Sequence, residues 1–93
     1  MISIDIKTPT EITIGIANRF SLIRKRRKIT QKELAKKSGV SYASLRRFEE
    51  TGEISLISLS KLAIALNLGE ELDSLFSDVP FNSIEEVING QGK

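Results

Sequence analysis

The residues best equipped for chemistry lie between Thr30 and Glu53, in TQKELAKKSGVSYASLRRFEETGE. Gln31, Lys32, Lys36 and Lys37 stand on one side of Gly39, and Tyr42, Ala43, Ser44, Arg46 and Arg47 on the other. Side chains of these types bond phosphates and base edges: Arg is bidentate to guanine O6 and N7, and Ala or Tyr meets a thymine methyl. The other chemistries are poorly supplied. Histidine and cysteine are both absent, which excludes disulfides, thiol nucleophiles, a Cys/His zinc site and a His general base. Glu49-Glu50 and Glu70-Glu71 are adjacent pairs, not carboxylates converging from two elements, and Asp73 and Asp78 lack metal-loop spacing. With no Gly-rich phosphate loop either, the sequence does not read as an enzyme, and no cofactor or metal is expected.

Charge is divided along the chain. The net +2 conceals eleven basic residues and one acid, Glu33, between Arg19 and Arg47. From Phe48 to the end there are nine acids and two bases, Lys61 and Lys93. The first part suits a polyanion and the second is repelled by one. At 93 residues, 40% hydrophobic and 28% charged, the chain is sized for one small globular domain without a large enclosed cavity. No apolar run approaches the roughly 20 residues that cross a bilayer. The opening MISIDIKTPT lacks the basic-then-apolar order of a signal peptide. Without cysteines, a reducing cytoplasm is the expected location.

The pattern predicts an all-α fold of five helices. Thr8-Pro9-Thr10-Glu11 reads as a helix start, with Thr8 capping and Glu11 three residues on. Ile12, Ile16, Phe20 and Ile23 recur at helical spacing, although Gly15 and the β-branched Ile12, Thr13, Ile14 and Ile16 also suit extended chain. The helix is expected over Asn18–Arg27, with much of the basic run Arg24–Lys28 on its outer face. Thr30 with Glu33 forms a second capping box, Leu34 and Ala35 point inward, and Gly39 is the left-handed C-cap. Ser41 caps the third helix, with Leu45 and Phe48 inward. Ser55 caps a fourth carrying Leu56, Leu59, Leu62, Ala63 and Leu66. After a break at Gly69, Glu70–Phe76 forms a fifth anchored by Leu72, Leu75 and Phe76. Ile2, Ile4 and Ile6 alternate, as in a short strand or a loose arm. Asn82–Ile88 reads as a short amphipathic helix. The expected organisation is an arm at 1–8, a domain at 9–76 and a tail at 77–93.

Two short capped helices joined through one glycine form a helix-turn-helix. In such a unit the second helix enters the major groove while the first lies against phosphates. Tyr42, Ala43 and Arg47 are the candidate base readers. Gln31, Lys32, Lys36, Ser41, Ser44 and Arg46, with Arg26 and Arg27 from the preceding helix, are candidate backbone contacts.

Phe20–Phe76 resembles the Cro/repressor-type helix-turn-helix regulators, the XRE-like family, with a lambda-repressor-like domain. The resemblance rests on Thr30-Gln31-x-Glu33-Leu34-Ala35, Gly39-Val40-Ser41, Ser44-Leu45-x-x-Phe48-Glu49 with Gly52, and Ser55-Leu56-x-x-Leu59-x-x-Leu62-Ala63-x-Ala65-Leu66. It implies a repressor that binds double-stranded DNA as a homodimer on a palindromic operator, and a structural ion pair between Arg24 and Glu49. Family recognition helices often begin with Gln or Arg, where this chain has Tyr42 and Ala43. Ser44–Leu56 looks more specifically like small antitoxins encoded beside kinase-like toxins, which implies a toxin protein as an alternative partner. One helix-turn-helix reads only a few base pairs, so two copies are expected. The dimer surface is assigned to Leu72, Leu75 and Phe76 of helix five, with Ile2, Ile4 and Ile6 pairing across the two-fold as an addition.

Overall fold

The computed structural model describes residues 7–80, and they form five helices and no strand. The expectations for Ile2, Ile4 and Ile6 and for a helix at 82–88 lie outside these residues. In chain order the helices are α1 (Pro9–Arg26), α2 (Gln31–Ser38), α3 (Tyr42–Thr51), α4 (Leu56–Ala65) and α5 (Gly69–Asp73).

Hydroxyl caps fix where the first four begin. Thr8 Oγ1 accepts from Glu11 N–H at 3.1 Å, and Glu11 Oε1 accepts from Thr8 N–H at 2.9 Å. Thr30 and Glu33 repeat the exchange at 3.1 and 2.8 Å. These boxes satisfy backbone donors that a helix start otherwise leaves unpaired. Ser41 and Ser55 accept from the N–H groups of Ser44 and Ser58. Because Thr8 sets the first cap firmly, α1 is helical throughout its 18 residues, and the extended alternative for Ile12–Ile16 is not adopted.

The core joins Ala17 and Phe20 of α1, Leu34 and Ala35 of α2, Val40 of the turn, Leu45 and Phe48 of α3, and Leu62 and Leu66 at α4. The Phe20 and Phe48 rings meet edge to face, 5.5 Å apart at 67°. α1 packs on α3, α2 on α3 and α4, and α5 on α4.

The placement of five apolar residues is corrected. Ile12 and Ile16 are exposed, because the buried stripe of α1 runs through Ala17, Phe20 and Arg24. Leu56 is exposed too, at the first position of α4, whose buried residues are Leu62 and Ala63. The fifth helix begins at Gly69 and ends at Asp73, so Leu75 and Phe76 lie beyond it and are exposed. Leu72 alone of the three supposed anchors is partly buried.

Two glycines close helices in the same left-handed conformation. Gly39 and Gly52 both have φ of +82°. A Cβ at Gly39 would meet nothing within 4 Å, whereas one at Gly52 would lie 2.8 Å from the Thr13 carbonyl carbon and 3.0 Å from the Ile14 nitrogen. The end of α3 therefore rests directly on the α1 backbone. Gly39→Ala should cost about 1–2 kcal/mol for the left-handed backbone alone. Gly52→Ala should add roughly 1–3 kcal/mol for steric displacement. Urea unfolding of both variants measures the difference, and equal losses would contradict the close approach.

Candidate nucleic-acid interface

α3 is held by a buried polar joint. The Arg24 guanidinium grips Glu49 with two bonds, Nε to Oε2 at 2.7 Å and Nη2 to Oε1 at 2.8 Å. Its remaining nitrogen, Nη1, donates to the Ile29 carbonyl at 2.8 Å, in the link between α1 and α2. Gln31 Nε2 donates to Glu49 Oε1 at 2.9 Å. One carboxylate on α3 is thus bonded by α1 and by the first residue of α2. The side chains of Arg24 and Glu49 are only 8% and 6% exposed. Burial by itself would raise the Glu49 carboxyl, but the hydrogen bonds from Arg24 and Gln31 and the Arg24 charge hold it below the usual carboxylate range. The Glu49 hydrogen bond raises Arg24 in turn.

The opposite face of α3 is open. With Leu45 and Phe48 buried, Tyr42, Ala43, Ser44, Arg46 and Arg47 are all exposed. These are the residue types that read base edges and grip phosphates, displayed together on one short helix. Lys32 Nζ stands 5.6 Å from the centre of the Tyr42 ring, tying the start of α3 to α2 by a cation–π contact. Ser41 Oγ donates to Ser44 Oγ at 2.9 Å. Arg46 pairs with Glu50 one turn on at 3.5 Å, and Arg47 pairs with Glu53 in the loop after α3. Lys32, Lys36, Lys37 and Arg26 are exposed.

Two candidate phosphate ligands have partners that spacing did not reveal. Gln31 turns its amide inward to Glu49, and with the Glu33 N–H taken by Thr30 Oγ1, the Gln31 and Lys32 backbone N–H groups are left for outward ligands. Arg27 Nη1 donates to the Leu66 carbonyl, clasping the end of α1 to the end of α4. Glu53 was not among the sequence candidates. Its pairing with Arg47 spans six residues across a reversed turn, which helical periodicity does not encode. Among the described residues, no three carboxylates converge as they would around a metal ion, and no helix is long and apolar enough to cross a membrane.

The buried pair generates a test with a sign. Glu49 and the capping-box Glu33, lowered mainly by the Thr30 backbone N–H, both sit below their ordinary 4.5. Their contributions are therefore present above about pH 4.5 and lost as pH falls through the depressed values. Arg24→Met leaves the Glu49 charge buried without its cation and should destabilise by about 3 kcal/mol at pH 7. In that variant burial acts on the Glu49 carboxyl without the Arg24 bonds and charge that lower it, so protonation as pH falls offsets part of the deficit. Urea unfolding at pH 7 and 5 should show a smaller deficit at pH 5, and an unchanged deficit would contradict the buried-charge account.

No curated protein and no solved structure matches the chain. A family model described as helix-turn-helix matches residues 21–72, more than half of the chain, from the last six residues of α1 through most of α5. Domains of this family bind DNA and are not catalytic. With two capped helices meeting at Gly39 and a second helix displaying Tyr42, Ala43, Arg46 and Arg47, the chain belongs to the XRE-like helix-turn-helix family of DNA-binding transcriptional regulators.

Proposed function

We propose that the chain is a repressor that binds a palindromic operator as a homodimer in the cytoplasm and blocks polymerase sterically. The observation that carries this is the exposed face of α3, braced from behind by Leu45, Phe48 and Glu49. In this reading α3 lies in the major groove. Arg47 bonds a guanine edge, and Tyr42 and Ala43 meet neighbouring bases. Lys32, Lys36, Ser41, Ser44, Arg46 and Arg26 grip the sugar-phosphate strands, joined by Gln31 through its backbone N–H and by the free donors of Arg27. The basic cluster supplies affinity that falls with salt, while α3 supplies discrimination.

The dimer reading rests on an apolar face away from α3. Leu56, Ile64, Leu72, Leu75 and Phe76 line an open groove of about 420 Å³. Phe76 is 85% exposed and Leu56 67%. Contiguous exposed apolar surface of this kind marks an interaction site. A second copy across a two-fold axis would cover it and set two α3 helices against successive major-groove faces. The domain at 9–76 is then the DNA-binding and dimerising unit, with 1–8 and 77–93 as arm and tail. The same groove also favours the second reading, an antitoxin that covers it with a kinase-like toxin and represses the shared operon.

Selection of bound duplexes from random DNA at physiological salt should enrich a palindrome. Arg47→Ala should then lose about 1–3 kcal/mol at one base-pair position per half-site. Equal weakening on every sequence would remove Arg47 from the base readers. For the dimer, Leu75→Ser with Phe76→Ser should shift the sedimenting species from dimer to monomer without unfolding it, since both residues lie outside the core. A wild-type chain that sediments as a monomer would remove the dimer reading, and a co-purifying kinase-like protein would favour the second reading.

A further inference from the structure

We propose that Glu53 is a specificity-determining residue: its carboxylate orients the Arg47 guanidinium toward a base and away from the phosphates. This rests on the reading of Arg47 as a base reader.

The pair is built from the backbone upward. Gly52 ends α3 in the left-handed conformation and is pinned against Thr13 and Ile14 of α1, which fixes where the chain leaves the helix. The Glu53 N–H donates to Thr51 Oγ1 at 3.1 Å, and Thr51 Oγ1 donates to the Arg47 carbonyl at 2.7 Å. Arg47 Nη2 then donates to Glu53 Oε1. The hydrogen-bonded circuit begins and ends at Arg47, so the carboxylate is anchored at its backbone in register with the guanidinium. The two side chains are about two-thirds exposed. An ion pair so wet contributes little to folding, and its position beside the reading face of α3 calls for a different role. It lies in a shallow recess with Ser44, Ile54, Ser55 and Ser58.

The consequence follows from what an unrestrained Arg does near DNA. A long cationic side chain on a groove-facing helix can pair with any phosphate in reach, and such contacts carry no sequence information. A fixed carboxylate counters that attraction by occupying part of the guanidinium and repelling phosphate. A guanidinium has five N–H donors. One contact to Glu53 leaves donors free for guanine O6 and N7. Glu53 thereby lowers attraction to every sequence and raises the difference between the right sequence and the wrong ones, which is how a repulsive element creates specificity. Glu50 supplies the matched comparison. It carries the same charge within α3 itself, three residues before Glu53, but it pairs with Arg46 and not with Arg47.

The test measures binding of the full chain to its selected duplex and to every single base-pair variant of it, for wild type, Arg47→Ala, Glu53→Gln and Glu50→Gln. Equal thermal midpoints for the two Glu variants and wild type establish that the fold is intact. Glu53→Gln should bind random DNA more tightly. It should also lose roughly threefold to tenfold in discrimination at the base pair where Arg47→Ala loses about tenfold or more. Glu50→Gln should change affinity evenly across the set. If Glu53→Gln behaves like Glu50→Gln while Arg47→Ala shows its single-position loss, Glu53 is only a repelling charge and the proposal fails alone. If Arg47→Ala itself weakens all duplexes evenly, the base-reader assignment fails and takes this proposal with it.

Discussion

The paired geometry of Arg24 and Glu49 is the constraint on which the display of α3 depends. Leu45 and Phe48 give α3 its adhesion to the core, but apolar contacts are not directional. The bidentate grip on Glu49 is directional. It acts near the C-terminal end of α3, and Gln31 brings the first residue of α2 to the same carboxylate. Three helices are therefore referenced to one buried group. Rotation of α3 about its axis would break that joint before it could move Tyr42, Ala43 or Arg47 to another face. The buried pair sets orientation more than it adds stability, since removing two charges from water offsets much of their attraction.

Gly52 adds a second reference point to the same end of α3. Its lack of a side chain lets the helix terminus touch the α1 backbone at Thr13 and Ile14. The first turns of α1, whose isoleucines bury little, thus have a positional role as a shelf for the loop that carries Glu53. The core, the ion pair and the shelf lie behind α3, and the polar side chains lie in front. The basic stretch gathers on α1 to α3 and the apolar groove lies at α4, α5 and the residues that follow, so the charged and the apolar surfaces are separate.

Much of this was legible in the sequence because capping chemistry is local. Thr8, Thr30, Ser41 and Ser55 mark helix starts by hydrogen bonds that reach only three residues, and Gly39 marks a stop by its backbone freedom. Leu34, Leu45 and Leu62 are wholly buried, because strong apolar periodicity in short helices leaves one inward face. What escaped was set by tertiary geometry. Ile12 and Ile16 fit a helical stripe, yet the packing angle of α1 puts Ala17 at the contact instead. Leu75 and Phe76 extend an apolar pattern past Asp73, where the helix has already ended. The inward turn of the Gln31 amide, the Arg27 clasp on Leu66 and the Arg47–Glu53 contact all depend on where separate elements meet.

The most direct test of the central claim, that α3 lies in the major groove, is methylation interference on the duplex enriched by selection. Guanine N7 methylation blocks the major groove and adenine N3 methylation the minor groove. The account predicts interference from guanine N7 at one cluster in each half-site, with the clusters separated by about one helical turn, 10–10.5 base pairs. Interference confined to adenine N3, or none at any base, would contradict it and leave only contacts that do not read the major groove.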